Sequence, residues 1–346
     1  MVAGKPPPSQ IALPIRLLAM STPLFLRLQP RLQGIAYRML GSRAEAEDVV
    51  QDVWLRWHEA DTDGLDNAEA WLVTVTTRLA IDRLRSAKLR RAHYVGFWLP
   101  EPWLDADQQQ PAASPVENMP SPANEDAPAT PEQMLERADD ISVAFLALLE
   151  RLGPEARAAF LLREVFDADY AEVARALGKS EAACRQIVSR AKAQLKDARP
   201  RHAVSSDTHY SLLAGFAKAA RTGDFAALQA LLAEDAELVS DGGGIVPSFG
   251  KVLAGAARIA QLYFATQRKS ALENAALGLE LVRLNGQWGV LRFIGDRLES
   301  AQSMQTDGRR ITRIHVQRNP EKLQRIAQAW AAGEVSQTSP PDRLIP

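Results

Sequence analysis

Apolar residues recur at helical spacing through residues 24–93. Phe25, Leu28, Leu32, Ile35, Ala36 and Met39 make one stripe, and Pro30 within it predicts a kink or a break. Ala46, Val49, Val50, Val53, Trp54 and Trp57 make a second, over a helix from Arg43 to Trp57. The turn-rich stretch DTDGLDN, 61–67, then leads into a long helix from about Ala68 to Arg91. Its first half is apolar and β-branched. Its second half carries Arg78, Arg83, Arg85, Lys88, Arg90 and Arg91 against one acid, Asp82. Such a basic face is either simply solvated or built for phosphate.

The periodicity stops at 101–140, where prolines and acids alternate with small polar residues and the only base is Arg137. That composition predicts a disordered acidic tether. A passive spacer is one reading; a segment that mimics nucleic-acid charge is the other.

Helical spacing resumes at 141–197, with Gly153-Pro154 as a stop between two short helices. The run YAEVARALGKSEAACRQIVSRAKAQLK, 170–196, reads as a helix-turn-helix. Gly178 takes the turn, Ser180 caps the second helix, and Cys184, Ile187, Val188 and Ala191 face inward. Glu181, Arg185 and Ser189 then form one exposed row, and Ala182, Gln186 and Arg190 the next. The second helix of this motif enters the major groove, where Arg pairs with guanine and Gln with adenine.

The last third changes period. Helices are expected at 210–220 and 225–232, a strand at 236–240 and a helix near 252–266. Alternating strands follow at 277–284, 287–294 and 311–316, with Asn285-Gly286 as a hairpin turn. This is an α+β pattern. The stretch DGGG, 241–244, ends the first strand. Three glycines serve either a tight turn needed only for folding or a surface where bare backbone meets another segment.

Composition narrows the chemistry. The 346 residues carry a net charge of -1 and one cysteine, Cys184, which excludes an internal disulfide and argues against a thiolate metal site. Cys184 reads as a small buried hydrophobe. Five scattered histidines have no ligand-like spacing, so neither a metal nor a cofactor is expected. Ile11 to Met20 is broken by Pro14 and Arg16 and makes a poor signal segment, so residues 1–23 are expected to be a disordered lead-in, with Met20 a second candidate start. A monomeric cytoplasmic protein outside the membrane is expected.

Two helical DNA-contacting candidates joined by a tether carry a resemblance. Residues 24–198, with GIAYRMLGSRAEAEDVVQDVWLRW at 34–57, resemble an extracytoplasmic-function sigma factor, which has only the second and fourth conserved sigma regions. WLPEP at 98–102, DGGG at 241–244 and NPEKL at 319–323 resemble motifs of the subgroup with a fused SnoaL-like domain, where the last motif has Asp in place of Glu321.

The resemblance implies a multidomain fold: an all-α region 2 at 24–93, the WLPEP segment and linker at 94–140, and an all-α region 4 at 141–198. An α+β SnoaL/NTF2-like cone follows at 208–332, with a disordered tail at 333–346. It implies that Glu47, Asp48, Gln51, Asp52 and Trp54 face the β′ clamp helices of RNA polymerase, with the β flap as a further contact. Asp61, Asn67, Trp71, Arg78, Arg83 and Arg85 become candidates for the promoter −10 element. Glu181, Ala182, Arg185, Gln186, Ser189 and Arg190 become candidates for the −35 element. A regulatory contact is implied among Trp98, Leu99, Pro100, Glu101, Pro102, Asp241, Gly242, Gly243, Gly244, Asn319, Pro320, Glu321, Lys322 and Leu323.

The function expected is promoter-specific initiation, controlled in cis by the C-terminal domain, with no enzyme activity. A ligand-sensing helix-turn-helix factor and a fusion with a SnoaL-like enzyme stay open, as does a small ligand in the cone. Asp241, His209, Tyr210, Arg313 and His315 are the candidate pocket members and match no catalytic pattern; His315 is expected at the surface or pocket rim.

Overall fold

The computed structural model describes residues 12–60, 65, 67–91, 94–105, 141–196 and 204–333, with side chains at 12–22, 88–91 and 196 excepted. These residues form two compact units. One takes in residues up to Ala87 together with Gly153–Lys192; the other takes in Lys88–Leu152 and everything after Ala193. No helix among the described residues is long and apolar enough to cross a membrane.

The first unit is helical: α1 (Ala12–Leu40), α2 (Arg43–Glu59), α3 (Ala68–Arg91), α5 (Pro154–Glu164), α6 (Tyr170–Leu177) and α7 (Glu181–Lys196). The predicted stripes of α1 and α2 form its core, with Leu32, Ala36, Met39, Ala46, Val49 and Val53 fully buried. In α3 the buried Thr76 and Thr77 hydroxyls are satisfied by donating to the carbonyls one turn back, Leu72 and Val73. The turn between α1 and α2 uses Gly41 at φ 66, and Ser42 caps α2 by accepting from the Glu45 amide.

The disordered lead-in is corrected for α1, and of the kink or break expected at Pro30 the break does not occur. Helix begins at Ala12, within the stretch 1–23 expected to be disordered, and it runs unbroken through Pro23 and Pro30. Pro30 is exposed, and so is Leu26, whose carbonyl loses its partner, so water can satisfy it.

The helix-turn-helix is built as expected. Asp169 and Glu172 form a reciprocal capping box at the start of α6, and Gly178 closes it in the left-handed conformation. Ser180 accepts from the Ala183 amide to start α7, and Cys184, Val188 and Ala191 are buried.

The second unit holds residues 94–105, α4 (Val143–Leu149), α8 (Ser206–Thr222), α9 (Phe225–Leu231), α10 (Ala256–Leu272) and α11 (Pro320–Ala331). Its strands are β1 (Leu232–Asp241), β2 (Leu253–Ala254), β3 (Leu277–Leu284), β4 (Gln287–Ile294), β5 (Arg297–Thr306) and β6 (Ile311–Gln317). They form one sheet in the order β2-β1-β6-β5-β4-β3, antiparallel except for the β1/β6 pair. Both faces are covered. Phe216, Leu238, Ile259, Tyr263, Val290 and Ile314 belong to one core, on the side of α8–α10. Leu104, Leu284, Leu291, Phe293, Leu323 and Ile326 belong to the other, where α11 and the end of the 94–105 segment pack.

Strand β5 and helix α11 were not anticipated. Ser300 and Gln302 of β5 are fully buried, so β5 lacks the apolar alternation that marks a strand. They are satisfied from within, the Tyr263 hydroxyl donating to Gln302 (2.7 Å) and Gln302 to Ser300 (3.1 Å). Helix α11 announces itself only by Asn319-Pro320 as cap and first residue, followed by Leu323, Ile326 and Trp330. Helix α4 falls by its contacts in the second unit and buries Val143, Leu146 and Leu149. Seven residues are too few for a helix to stand without such packing.

The expectation for His315 is corrected too: it is buried, not at a surface or rim. Alternation does place it opposite Ile314 and Val316, but that face of the sheet is covered as well. Burial pushes its pKa down to about 3, and burial lowers that of His209 too. Both imidazoles are therefore neutral when folded and take up protons more readily when unfolded. Stability should be full well above pH 6.5 and fall toward pH 3 by up to about 1.4 kcal/mol per pH unit on account of His315, with His209 acting in the same direction. Denaturant melts across that range check this, and His315→Gln should flatten the slope. Gly242→Ala should cost about 1–3 kcal/mol or more, because its Cβ would meet the Val246 carbonyl oxygen at 2.2 Å.

Candidate functional site

On α2, Glu47, Asp48, Gln51 and Asp52 lie within two turns and stay exposed or half-exposed. Glu47 pairs with Arg43 at 3.1 Å. Trp54 lies beside them, its ring 4.7 Å from Phe25 and 4.9 Å from His58. The face is therefore an acidic row beside a half-buried aromatic, which suits a basic partner.

The arginines of α3, candidates for the −10 element, each have protein partners in the free chain. Arg83 reaches back to α2 and binds Asp48 at 3.2 Å and Asp52 at 2.8 Å. Burial alone would lower its pKa, but the two carboxylates raise it. Arg78 donates to the Ala176 (3.0 Å) and Arg175 (2.7 Å) carbonyls, the last turn of α6. Arg85 pairs with Glu155 of α5 at 2.7 Å, and Glu155 also holds Lys179 from the helix-turn-helix turn at 3.2 Å. Asn67 caps α3 by accepting from the Ala70 amide at 2.9 Å, and Trp71 packs half-buried against Trp57. Asp61 lies outside the described residues.

The outer face of α7 is as predicted. Glu181, Ala182, Arg185, Gln186, Ser189 and Arg190 are all exposed. Arg185 pairs with Glu181 at 2.9 Å.

In the second unit one carboxylate gathers the three motifs. Asp241 is fully buried at the end of β1. Its Oδ1 accepts from the Tyr94 hydroxyl (2.6 Å) and the Gly243 amide (3.0 Å). Its Oδ2 accepts from the Leu99 amide (2.8 Å), Gln317 Nε2 (3.2 Å) and Lys322 Nζ (2.8 Å). Five donors around one carboxylate satisfy a charge that would otherwise be costly to bury. Burial and the Asp241 charge push the Tyr94 pKa up, so the phenol stays a donor.

Lys322 closes the clasp. Its ammonium also donates to the Leu99 carbonyl at 2.6 Å and sits 4.1 Å from the Trp98 ring centre. Gln317 donates to the Leu99 and Pro100 carbonyls, each at 3.2 Å. Asn319 caps α11 by accepting from the Glu321 amide, and its Nδ2 donates to Tyr94. Pro100, Glu101 and Pro102 are buried, and Glu101 lies 3.9 Å from Arg325. The segment is pinned again at its end, where Trp103 and Asn285 exchange two hydrogen bonds of 2.8 Å.

The three glycines now have a reason. A Cβ on Gly243 would overlap Asn319 at 2.5 Å, and one on Gly244 would press on Val95 at 3.3 Å. Both have positive φ, 67 and 73. DGGG is thus a turn and a contact surface together. Pro320 and Leu323 start and bury α11. The candidate pocket residues are dispersed among other partners. His209 bonds the Met304 carbonyl, Tyr210 packs edge-on to Trp288, and Arg313 pairs with Glu237. A group of metal-ligating side chains is absent among the described residues.

The helical parts define a sigma-70-type transcription factor. Sigma-70 region 2 matches residues 24–90, and Sigma-70, region 4 matches residues 142–195. The chain is 37% identical over 239 residues to the ECF RNA polymerase sigma factor SigJ of Mycobacterium tuberculosis H37Rv, covering 68% of this chain and 69% of that one. It is 28% identical over 304 residues to the probable ECF RNA polymerase sigma factor SigI of Mycobacterium tuberculosis CDC 1551, covering 87% and 94%. The crystal structure of Mycobacterium tuberculosis SigJ superposes with a TM-score of 0.63 at 28% identity, covering 88% of this chain and 98% of that one. The chain belongs to the ECF RNA polymerase sigma factors, a family of initiation factors and not of enzymes. The all-α regions followed by an α+β domain match the SigJ structure.

Asp241→Ala should destabilise the C-terminal domain by about 3–5 kcal/mol, since it leaves Lys322 half-buried without its carboxylate. Hydrogen exchange should show the Leu99 and Gly243 amides losing protection before the β4–β5 core does.

Proposed function

We propose that this ECF sigma factor meets core RNA polymerase through the α2 row Glu47, Asp48, Gln51 and Asp52 with Trp54, and the −35 element through the exposed face of α7. Arg78 and Arg85, with the 61–71 segment ahead of them, address the −10 element. Arg83 acts one step back, holding Asp48 and Asp52 in place. The C-terminal domain controls these contacts in cis. The observation that carries this control is the Asp241 clasp. It grips the segment that directly follows the basic helix α3, so its state bears on how that helix can move.

A second feature supports a resting arrangement. Arg78 and Arg85 are bound by the helices that carry the −35 reader. The names of the two promoter elements place them some 25 base pairs apart, about 85 Å at 3.4 Å per step. Both cannot be engaged while α3 and α6 touch. Initiation therefore breaks the Arg78 and Arg85 contacts and frees both guanidiniums for DNA.

Run-off transcription with purified core polymerase tests the reading, using the full-length chain on the promoter of its own gene. Asp241→Ala should change initiation by several-fold against wild type, and the sign reports whether the clasp restrains or supports. Unchanged transcription in a folded Asp241→Ala variant would defeat control in cis. Glu155→Arg should repel Arg85 and Lys179, and fluorescence energy transfer between α2 and α7 should then report a larger separation in the free chain.

A further inference from the structure

Helix α7 reads DNA with long side chains on an exposed surface, and a free arginine there has many rotamers to lose on binding. Arg185 is not free in that sense. Its guanidinium carbon lies 4.7 Å from the ring centre of Tyr170, the first residue of α6. The same ring is approached by the Arg163 guanidinium at 5.2 Å, and Arg163 is anchored to the Ala168 carbonyl at 3.0 Å. Asp169 and Glu172 cap the backbone on either side of Tyr170. The ring is therefore fixed from the end of α5 and the start of α6 before Arg185 meets it.

We propose that Tyr170 is a positioning residue for promoter recognition, holding Arg185 in a preset orientation to read guanine in the −35 element. This rests on the reading of Arg185 as a base contact. Guanine presents O6 and N7 to the major groove, and a planar guanidinium meets both at once only when its plane is correctly aimed. A ring face engages the cation without an acceptor atom. Of the five N–H donors of Arg185, Glu181 holds one through Nη2. The rest of the fork stays available to a base. Stacking thus removes rotamer freedom in advance while leaving the recognition edge unused, which favours the matched base over its competitors.

The test uses holoenzyme reconstituted from core polymerase and the full-length chain, selecting from a randomised duplex DNA library. Wild type, Arg185→Ala, Tyr170→Leu and Tyr170→Phe are compared by base preference at each −35 position. Arg185→Ala should lose a guanine preference at one position. Tyr170→Leu should weaken the same preference about two- to five-fold, the range one cation–π contact carries, and leave other positions unchanged. Tyr170→Phe keeps the ring and should restore it. Thermal melting of each chain separates this from loss of fold, which would lower every preference together. Full guanine preference in a folded Tyr170→Leu variant overturns the proposal, as does Tyr170→Phe behaving like Tyr170→Leu. If Arg185→Ala weakens all sequences evenly and only lessens the salt dependence, Arg185 is a phosphate contact, and the reading beneath the proposal falls with it.

Discussion

A carboxylate with no access to water must be satisfied by protein donors, and the joining of the three motifs in the second unit follows from that requirement at Asp241. The five donors come from the segment after α3, from the DGGG turn, from β6 and from α11. Those elements are far apart in sequence, 142 residues separating Leu99 from Asp241. Removing the charge would take away the acceptor that the Tyr94 hydroxyl, the Leu99 and Gly243 amides, Gln317 and Lys322 share, so these contacts are coupled. A buried charge of this kind specifies one arrangement more than it adds net stability.

The first unit shows the complementary case, in which basic groups are held by partners weak enough to exchange. Arg78 and Arg85 are exposed and bonded to two carbonyls and a shared carboxylate. Surface pairs of this sort contribute about 0–1 kcal/mol each. The Asp241 clasp is buried and satisfied from all sides, whereas the contacts on α3 are shallow.

The helical half was legible because its signals are local. Apolar stripes at 3.6-residue spacing, the Ser42 and Asp169 caps and the left-handed Gly178 are written within a few residues of the structures they form. The exposed row of α7 followed from the same spacing. Strand β5 was not legible, because polar Ser300 and Gln302 stand among its buried residues, satisfied through the Tyr263 hydroxyl of α10 bonding Gln302 and Gln302 bonding Ser300. The burial of His315 was hidden for a related reason, since alternation gives the face of a strand but not whether that face is covered.

By itself the sequence determined the order of the regions and the class of each fold. These depend on periodicity and side-chain type, which the chain carries along its length. Only the tertiary structure decided what each candidate touches. It assigned Arg83 to the acids of α2, closed Arg78 onto α6, and brought Tyr94, Leu99, Gly243, Gln317 and Lys322 around Asp241. Partners so distant in sequence leave no local pattern, because the energy that joins them exists only after the sheet has formed and water has been excluded.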